Sequence, residues 1–324
     1  MSEVNSVGAV WPPTISTDNR LRGFYSEKVV RTQEEVSEFA ARAQTFLPQL
    51  GSDSGCDRLS IRLVTSENAV ASIDQTGLQV EAAIPFAYGG EGLTLTYVGH
   101  NQAHRVMSAV DLIRHRTTLQ HIVQSDHDRV NPAIQLHKKG FSPQMLDINS
   151  PEERRTDIVG SLTELYSVFG YDQAATNDLV TNPSNFVAYI EDNDSIISTA
   201  TAERVAITVK GLGALQLVEI TDGVTHPAYK GRGLFKAIYG YLVNKMLAQE
   251  EEQPIDVLYS ESNLAVMGML MASHKIGQRY NYFDAGRFGL QNRYFGILPQ
   301  SFSVKDGIET RSYNDFAVSY TPLG

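Results

Sequence analysis

The sequence predicts an α/β protein built from two tandem copies of one mixed unit, divided near residue 150. Three observations predict it. Segments of period 2 alternate with segments of period 3.6 along the chain. The polar stretch "LDINSPEERRT", which carries a Ser-Pro, interrupts that alternation near the middle. On each side of it the order is helix, strands, long strand, helix, strand, short helix, strand. Residues 1–150 and 151–324 are therefore the two expected units.

The elements follow in order. The tail up to Trp11-Pro12-Pro13 is expected to be loosely held. "TQEEVSEFAARAQTFL" predicts a helix, with Thr32 and Glu35 as a capping box and Val36, Phe39, Ala43, Phe46 and Leu47 on one face. "DRLSIRLV" alternates like a strand. "GLQVEAAIPF" and "GLTLTYVGH" predict neighbouring strands joined by "AYGGEG". "QAHRVMSAVDLIRH" predicts a helix with Val106, Ala109, Val110 and Ile113 inward, and "TLQHIVQS" a strand. "NPAIQLHKKGF" predicts a short helix opened by Pro132 and closed by Gly140.

In the second unit, "IVGSLTELYSVFG" predicts a helix. "NFVAYIED" and "SIISTATAERVAITV" predict strands around an Asn-Asp turn, and "GALQLVEITDGV" a long strand. A helix over "GRGLFKAIYGYLVNKMLAQ", a strand over "IDVLYSES", a helix over "AVMGMLMASHKIG" and a strand over "NDFAVSY" complete it.

Composition excludes several classes. A net charge of −10 argues against a general nucleic-acid binder, so an anionic ligand needs a local site. No run approaches the ~20 apolar residues of a membrane span. The start "MSEVNSVGAVWPP" has no apolar core of a secretory signal. The cytoplasm is the expected compartment. The single cysteine, Cys56, excludes an intramolecular disulfide framework, and the histidines lack metal-ligand spacing, so no metal is expected.

One stretch asks for a ligand. In "EITDGVTHPAYKGRGLFKAIYGYL", Glu219 to Leu242, a strand ends at a His-Pro and a helix starts after Lys230-Gly231-Arg232-Gly233. The first amides of a helix have no partner inside it and sit at the positive end of its dipole. Gly231 and Gly233 remove Cβ atoms, while Lys230 and Arg232 add charge, a combination suited to a pyrophosphate. An ordinary strand–helix connection is the competing reading. A P-loop is excluded because GxxxxGK[ST] is absent, and "GLGALQ" precedes a strand instead of following one.

Lys230-Gly231-Arg232-Gly233-Leu234-Phe235, between a strand and a helix, resembles the coenzyme A loop of the Gcn5-related N-acetyltransferase (GNAT) superfamily, written [Q/R]xxGx[G/A]. Laid on that pattern, Lys230 replaces Gln/Arg, and Phe235 replaces the last small residue. "IDVLYSESNLAVMGMLMASHKIG" is similar to the family's later strand, splayed loop and closing helix. "VEITDGVTHPAYKGRGL", "LYSES", "GRFGLQNR" and "VEAAIPFAYGGEG" look like segments of the β-lysine N6-acetyltransferase branch. The first unit resembles a worn copy, with "NPAIQLHKKGF" as closing helix but "VGHNQAHR" where the loop belongs, so it is expected to bind no cofactor.

The resemblance implies two tandem acyl-CoA N-acyltransferase domains, the second using acetyl-CoA or another acyl-CoA to acetylate directly a small-molecule amine, such as an amino acid or β-amino acid. No nucleic acid or membrane partner is expected, and a homodimer stays open. A non-catalytic acyl-CoA binder and a protein lysine acetyltransferase are the rivals. The strand before the loop would splay, with Val224 and Thr225 pairing the pantetheine arm and the Val224 N–H donating to the oxyanion. Glu219 stands where the family has its general base, and Asp222 would orient the ammonium. The two acids point to opposite faces of a regular strand, so a bulge is needed to bring both to one site. Ser273 occupies the usual place of the acidic tyrosine, leaving Tyr259, Ser260, His274 and Tyr280 as substitutes. Asn263 would bond the pantetheine arm. Glu203, Glu219, Asp222 and Glu261 are candidates for a second ammonium of the acceptor.

Overall fold

The structure is a computed structural model that describes residues 14–15, 20–54, 58–101, 109–124, 140–146, 152–248, 254–263, 267–276, 278–280, 284–285, 287–288, 290, 297–298, 303–305, 308–310 and 316–323. The expectations for the N-terminal tail, Val106, Cys56, residues 131–139 of "NPAIQLHKKGF" and "VGHNQAHR" beyond Asn101 fall outside these residues; Gly140, the expected C-cap, has φ +80°. The strands β1 (Thr14–Ile15), β2 (Arg20–Val30), β3 (Arg58–Ser66), β4 (Gln79–Tyr88) and β5 (Glu91–Asn101) form a five-stranded sheet in the order β1-β2-β3-β5-β4. The second sheet has eight strands and contains β6 (Gln144–Met145), β7 (Asn185–Asp192), β8 (Ser195–Val209), β9 (Gly213–Thr225), β10 (Val257–Asn263), β11 (Arg279–Tyr280), β12 (Ile297–Leu298) and, after the small hairpin of β13 (Ser303–Lys305) and β14 (Ile308–Thr310), β15 (Phe316–Thr321). Its order is β11-β15-β10-β9-β8-β7-β6, with β12 beside β15. Helices α1 (Gln33–Ser54), α2 (Glu67–Gln75), α3 (Ala109–Gln124), α4 (Glu152–Tyr166), α5 (Gln173–Thr181), α6 (Leu234–Ala248) and α7 (Met267–Lys275) flank the two sheets.

One connectivity occurs in both sheets. In the first, β2 and β3 are parallel across α1, and α2 leads to the β4–β5 hairpin, with β5 against β3. In the second, β9 and β10 are parallel across α6, and α7 leads to β11 and then β15, with β15 against β10. Parallel neighbours need such a crossover, whereas the hairpins close on tight turns. Gly89-Gly90 and Asn193-Asp194, all at positive φ, make two of those turns.

The sheets pack face to face. Val64, Ala82, Ile84, Leu93, Leu95 and Tyr97 of the first meet Leu215, Leu217, Val257, Tyr259, Val318 and Tyr320 of the second. The outer face of the first sheet is covered by α1 and α2 through Val36, Phe39, Leu47, Val70 and Ile73, with Phe288 and Leu290 added from the C-terminal half. The opposite face of the second sheet carries α6 through Leu234, Ala237, Ile238, Leu242 and Met246. Helices α4 and α5 cover the β7–β8 end of the inner face through Leu162, Leu165, Tyr166 and Val180.

Three local expectations differ from the structure. "TLQHIVQS" is the second half of α3 and not a strand, because Leu112, Leu119 and Ile122 share a helical face against Leu270, Tyr280 and Ala317. Val110 and Ile113, expected inward, are 75% and 64% exposed on the other side of that helix. Phe46, expected in the core, is 37% exposed at the edge of α1. The short strand β6, just before the expected boundary at 150, pairs with Ala188 and Tyr189 of the second sheet.

Candidate active site

The glycine turn opens where β9 hands over to α6. Gly231 and Gly233 have φ of +79° and +82°, and nothing lies within 4 Å of a Cβ built on either. Left-handed backbone of this kind is cheap only for glycine. The first helical bond reaching back into the turn runs from Ala237 N–H to Gly233 O at 3.2 Å. Among the described residues no hydrogen bond ends on the amides of Gly231, Gly233 or Leu234. The turn is braced from behind. Tyr229 donates to Asp192 at 2.7 Å, Ala228 N–H donates to His226 Nδ1 at 3.3 Å, and the Arg232 guanidinium lies 4.7 Å from the Tyr229 ring centre. Lys230, Arg232 and the loop glycines are thus held at the mouth of a positive helix end.

Because α6 starts at Leu234, Gly231 and Gly233 can also be laid on the Gly-x-Gly of the loop pattern, with Ala228 three residues ahead where the cation is written. Phe235 lies inside the first turn of α6. Its ring rests on Gly223, where a Cβ would stand 2.0 Å from Phe235 Cε2. The bulky side chain at 235 is therefore matched by a missing one at 223.

The strands fork beside this turn. β9 and β10 pair in parallel only through Leu217–Glu219 and Val257–Tyr259. Beyond that point β10 continues along β15 to Asn263, while β9 continues along β8 to Thr225. Among the described residues no strand pairs with β9 on its β10 side beyond Glu219. His226 N–H bonds Ile197 O at 2.8 Å, which sets the alternation of the antiparallel pair. Val224 N–H therefore points toward β8, and the amides of Gly223 and Thr225 face the fork. The Thr225 hydroxyl contacts Ser198 Oγ at 2.7 Å. Asn263 ends β10 opposite Phe316, at the far arm of the fork.

A bulge brings the two acids to one face. The register of β8 against β9 shifts between Thr201–Thr221 and Thr199–Val224, and Asp222 adopts φ +50°. Aspartate is among the few residues that tolerate this region. Asp222 consequently turns to the α4 side, where Tyr171 Oη lies 3.2 and 3.3 Å from its two carboxylate oxygens. Burial, with Asp222 and Glu203 adding, pushes the Tyr171 phenol up, so it stays a donor. Tyr166 bonds Thr199 and Thr201 at 3.2 and 3.1 Å on the same face.

Glu219 stands at the crotch of the fork, opposite Glu203 on β8 and Tyr259 on β10. Tyr259 donates to Glu219 Oε2 at 2.8 Å. Arg62, from β3 of the first sheet, donates to Tyr259 Oη at 2.6 Å, and its second terminal nitrogen lies 3.6 Å from Glu219 and 3.4 Å from Glu261. The guanidinium also lies over the rings of Tyr97 and Tyr259, 5.0 and 5.3 Å from their centres. Burial opposes its charge, but Tyr259, Tyr97, Glu219 and Glu261 together hold it well above the ordinary arginine value. Burial holds Tyr259 far above an ordinary phenol, against the pull of Arg62. Arg62 carried no sequence signal of a site, since its partners Tyr259 and Glu261 lie 197 and 199 positions further along the chain.

The remaining substitutes for the acidic tyrosine are placed apart from this cluster. Ser260 is buried on the α6 side, bonded to Ser319 at 2.9 Å and Gln278 at 3.2 Å. Tyr280 donates to Leu270 O. Ser273 is buried and bonds Met269 O at 3.2 Å. Of the substitutes, Tyr259 is the one bonded to Glu219, while Ser260 and Tyr280 are bonded elsewhere. Among the described residues no group of three or more His, Cys, Asp or Glu could hold a metal ion, and no helix is long and apolar enough to cross a membrane.

The first sheet has the same crossover, from β2 to α1, with the opposite outcome. There the Glu35 carboxylate accepts from Arg31 N–H at 2.8 Å and Thr32 N–H at 3.0 Å, while Thr32 Oγ1 accepts from Glu35 N–H. This is the capping box expected from sequence. The irregular part of β2 is occupied too, as Lys210 N–H at the end of β8 bonds Ser26 O at 2.9 Å.

Residues 128–268 match the family model described as an acetyltransferase (GNAT) domain. The matched GNAT segment is less than half of the chain and takes in β6 to β10, the fork, the glycine turn and α6. No curated protein matches the chain. Among solved structures, Arabidopsis thaliana NAA60 in complex with a bisubstrate analogue is similar at 14% identity and a TM-score of 0.39, over 56% of this chain and 100% of that one. An IAA acetyltransferase from Bacillus cereus gives 13%, 0.33, 56% and 99%. Glucosamine-6-phosphate N-acetyltransferase from Arabidopsis thaliana gives 13%, 0.29, 47% and 92%.

Proposed function

We propose that the second sheet transfers an acetyl group, or a related acyl group, directly from coenzyme A to the amine of a small molecule. The observation that carries this reading is the fork between β9 and β10 beside the open helix end at Gly231–Leu234, with Glu219 and Tyr259 at its crotch. In this reading the α6 amides with Lys230 and Arg232 take the diphosphate. The fork-facing backbone of Gly223 and Thr225 takes the pantetheine arm. Glu219 accepts the proton of the acceptor ammonium, and the freed amine attacks the thioester carbonyl. A fork-facing amide stabilises the tetrahedral oxyanion. The C–S bond then breaks, and the thiolate takes up the second proton, which the attacking nitrogen releases.

The first sheet lies over the face that carries Glu219, which favours a small acceptor over a polypeptide. Glu203, Glu219, Asp222 and Glu261 share that face and suit an acceptor with a second cationic group, such as a diamino acid. The site assignment is tested by acyl-CoA turnover against a panel of mono- and dicationic amines. Turnover of at least one amine is expected, with Glu219→Gln lowering kcat by about 100-fold or more while leaving the Kd for coenzyme A unchanged. A fully active Glu219→Gln removes Glu219 as base. Tight coenzyme A binding with no turnover on any amine identifies a binding module instead.

A further inference from the structure

The Arg62 contacts cross between the sheets. Most of that interface is apolar, and an apolar side chain at 62 would extend the packing without desolvating a charge. The guanidinium is only 15% exposed, and every contact it makes with the second sheet is to the Glu219 cluster. We propose that Arg62 is a positioning residue of the candidate active site: it anchors the Glu219 carboxylate and directs the Tyr259 hydroxyl onto it, so the first sheet completes the site of the second. This deepens the acyl-transfer reading and rests on it.

The hydrogen-bond direction follows from chemistry. A guanidinium only donates, so the Tyr259 oxygen is the acceptor of the 2.6 Å contact. The phenol hydrogen is then directed to the partner left within reach, Glu219 Oε2 at 2.8 Å. The carboxylate in turn receives a donor and a nearby positive charge, which together fix where its oxygens stand. The planar fork, held between two tyrosine rings, has few alternative orientations. A base that takes a proton from an ammonium must not swing away between turnovers, and Arg62 holds it in place.

Two readouts test this. In full-length protein with 13C-labelled glutamate, the Glu219 carboxyl signal is assigned by its loss in Glu219→Gln and compared between wild type and Arg62→Met at one pH. A displaced or broadened signal is expected in Arg62→Met, because the carboxylate loses the group that anchors it. In turnover assays on the best amine, Arg62→Met is expected to lower kcat at neutral pH about tenfold or more with the KM for acetyl-CoA unchanged. Arg62→Lys, which keeps the charge but not the fork, should fall between. An unchanged Glu219 signal in folded Arg62→Met overturns the proposal. So does an Arg62→Lys protein indistinguishable from wild type in both readouts, which also covers a Met variant that does not fold. A changed signal in a protein whose wild type turns over no amine overturns the acyl-transfer reading instead, and with it any positioning role in that reaction.

Discussion

Gly223→Ala is a one-carbon test of how the fork and the helix end are joined. Gly223 is not among the glycines at positive φ, so alanine fits its backbone without strain. The obstacle is the Phe235 ring, with Cε2 2.0 Å, Cζ 2.9 Å and Cδ2 3.1 Å from the new methyl. The ring must move by more than an ångström, and it is packed against Tyr239 at a centroid distance of 5.6 Å within the α6 core. Overpacking of this kind costs about 1–3 kcal/mol. Replacing glycine returns about 0.4–1 kcal/mol through the unfolded chain. The net loss is then about 1–2 kcal/mol, read as a lowered urea midpoint at unchanged slope. Because Phe235 sits in the first turn of α6, the same substitution should weaken coenzyme A binding. Phe235→Leu, combined with Gly223→Ala, should recover part of both losses, giving a non-additive cycle. A Gly223→Ala protein with wild-type stability and wild-type Kd refutes the link between fork and loop.

Two further outcomes are expected. Arg232→Glu reverses an exposed charge at the helix end without touching left-handed backbone, so it should cut coenzyme A affinity about tenfold or more by calorimetry and leave stability within about 0.5 kcal/mol; Gly233→Glu would add about 1–2 kcal/mol of backbone strain at φ +82° and is the less clean test. Glu35→Gln should cost no more than about 0.5 kcal/mol at neutral pH, because glutamine can still close the box and only the charge is lost; the Arg31 amide, followed by that of Thr32, holds the Glu35 carboxyl below its ordinary 4.5. A depressed acid stabilises the native state above its unfolded value, and the contribution fades as pH falls through the folded value. The wild-type and Glu35→Gln unfolding curves should therefore converge in acid, and a gap that persists there would show a packing effect instead.

Local chemistry made much of the second unit legible. Asn193-Asp194 fixed a two-residue hairpin turn, so β7 and β8 fall on the expected segments. The Thr32/Glu35 pair marked the start of α1. Where tertiary contact decides, the sequence pattern was a poor guide. The β-branched run in "TLQHIVQS" suggests a strand, yet α3 continues through it because its buried stripe lies against α7 and the last strands. Helix α2 carries Ala69, Val70 and Ile73 at helical spacing, a signal present but passed over between two strands. The bulge at Asp222 was foreseeable only as a requirement, since two acids three apart cannot share a regular strand face. Arg62 was not foreseeable: in "RLSIRLV" it reads as a polar alternate of a half-buried strand, and only the packing of a second sheet turns that position inward.

The two crossovers show what separates a binding helix end from a structural one. Both join parallel strands through a helix, and both offer the same unpaired amides and the same dipole. At α1 the Glu35 carboxylate folds back onto the Arg31 and Thr32 amides just ahead of the helix, and Thr32 Oγ1 takes the Glu35 amide of the first turn. A phosphate arriving there would have to displace a carboxylate already bonded twice, and would meet its charge as well. At α6 the corresponding side chains are Phe235 and Lys236, neither able to accept, and two left-handed glycines keep the approach open. An acid placed at α6 should therefore close it. Lys236→Glu places a carboxylate three residues after Gly233, the position that Glu35 holds relative to Thr32. That variant is expected to keep its stability within about 0.5 kcal/mol, since an acid suits the first turn of a helix, yet to lose coenzyme A affinity. A Lys236→Glu protein that binds coenzyme A with wild-type affinity would mean that the diphosphate lies elsewhere.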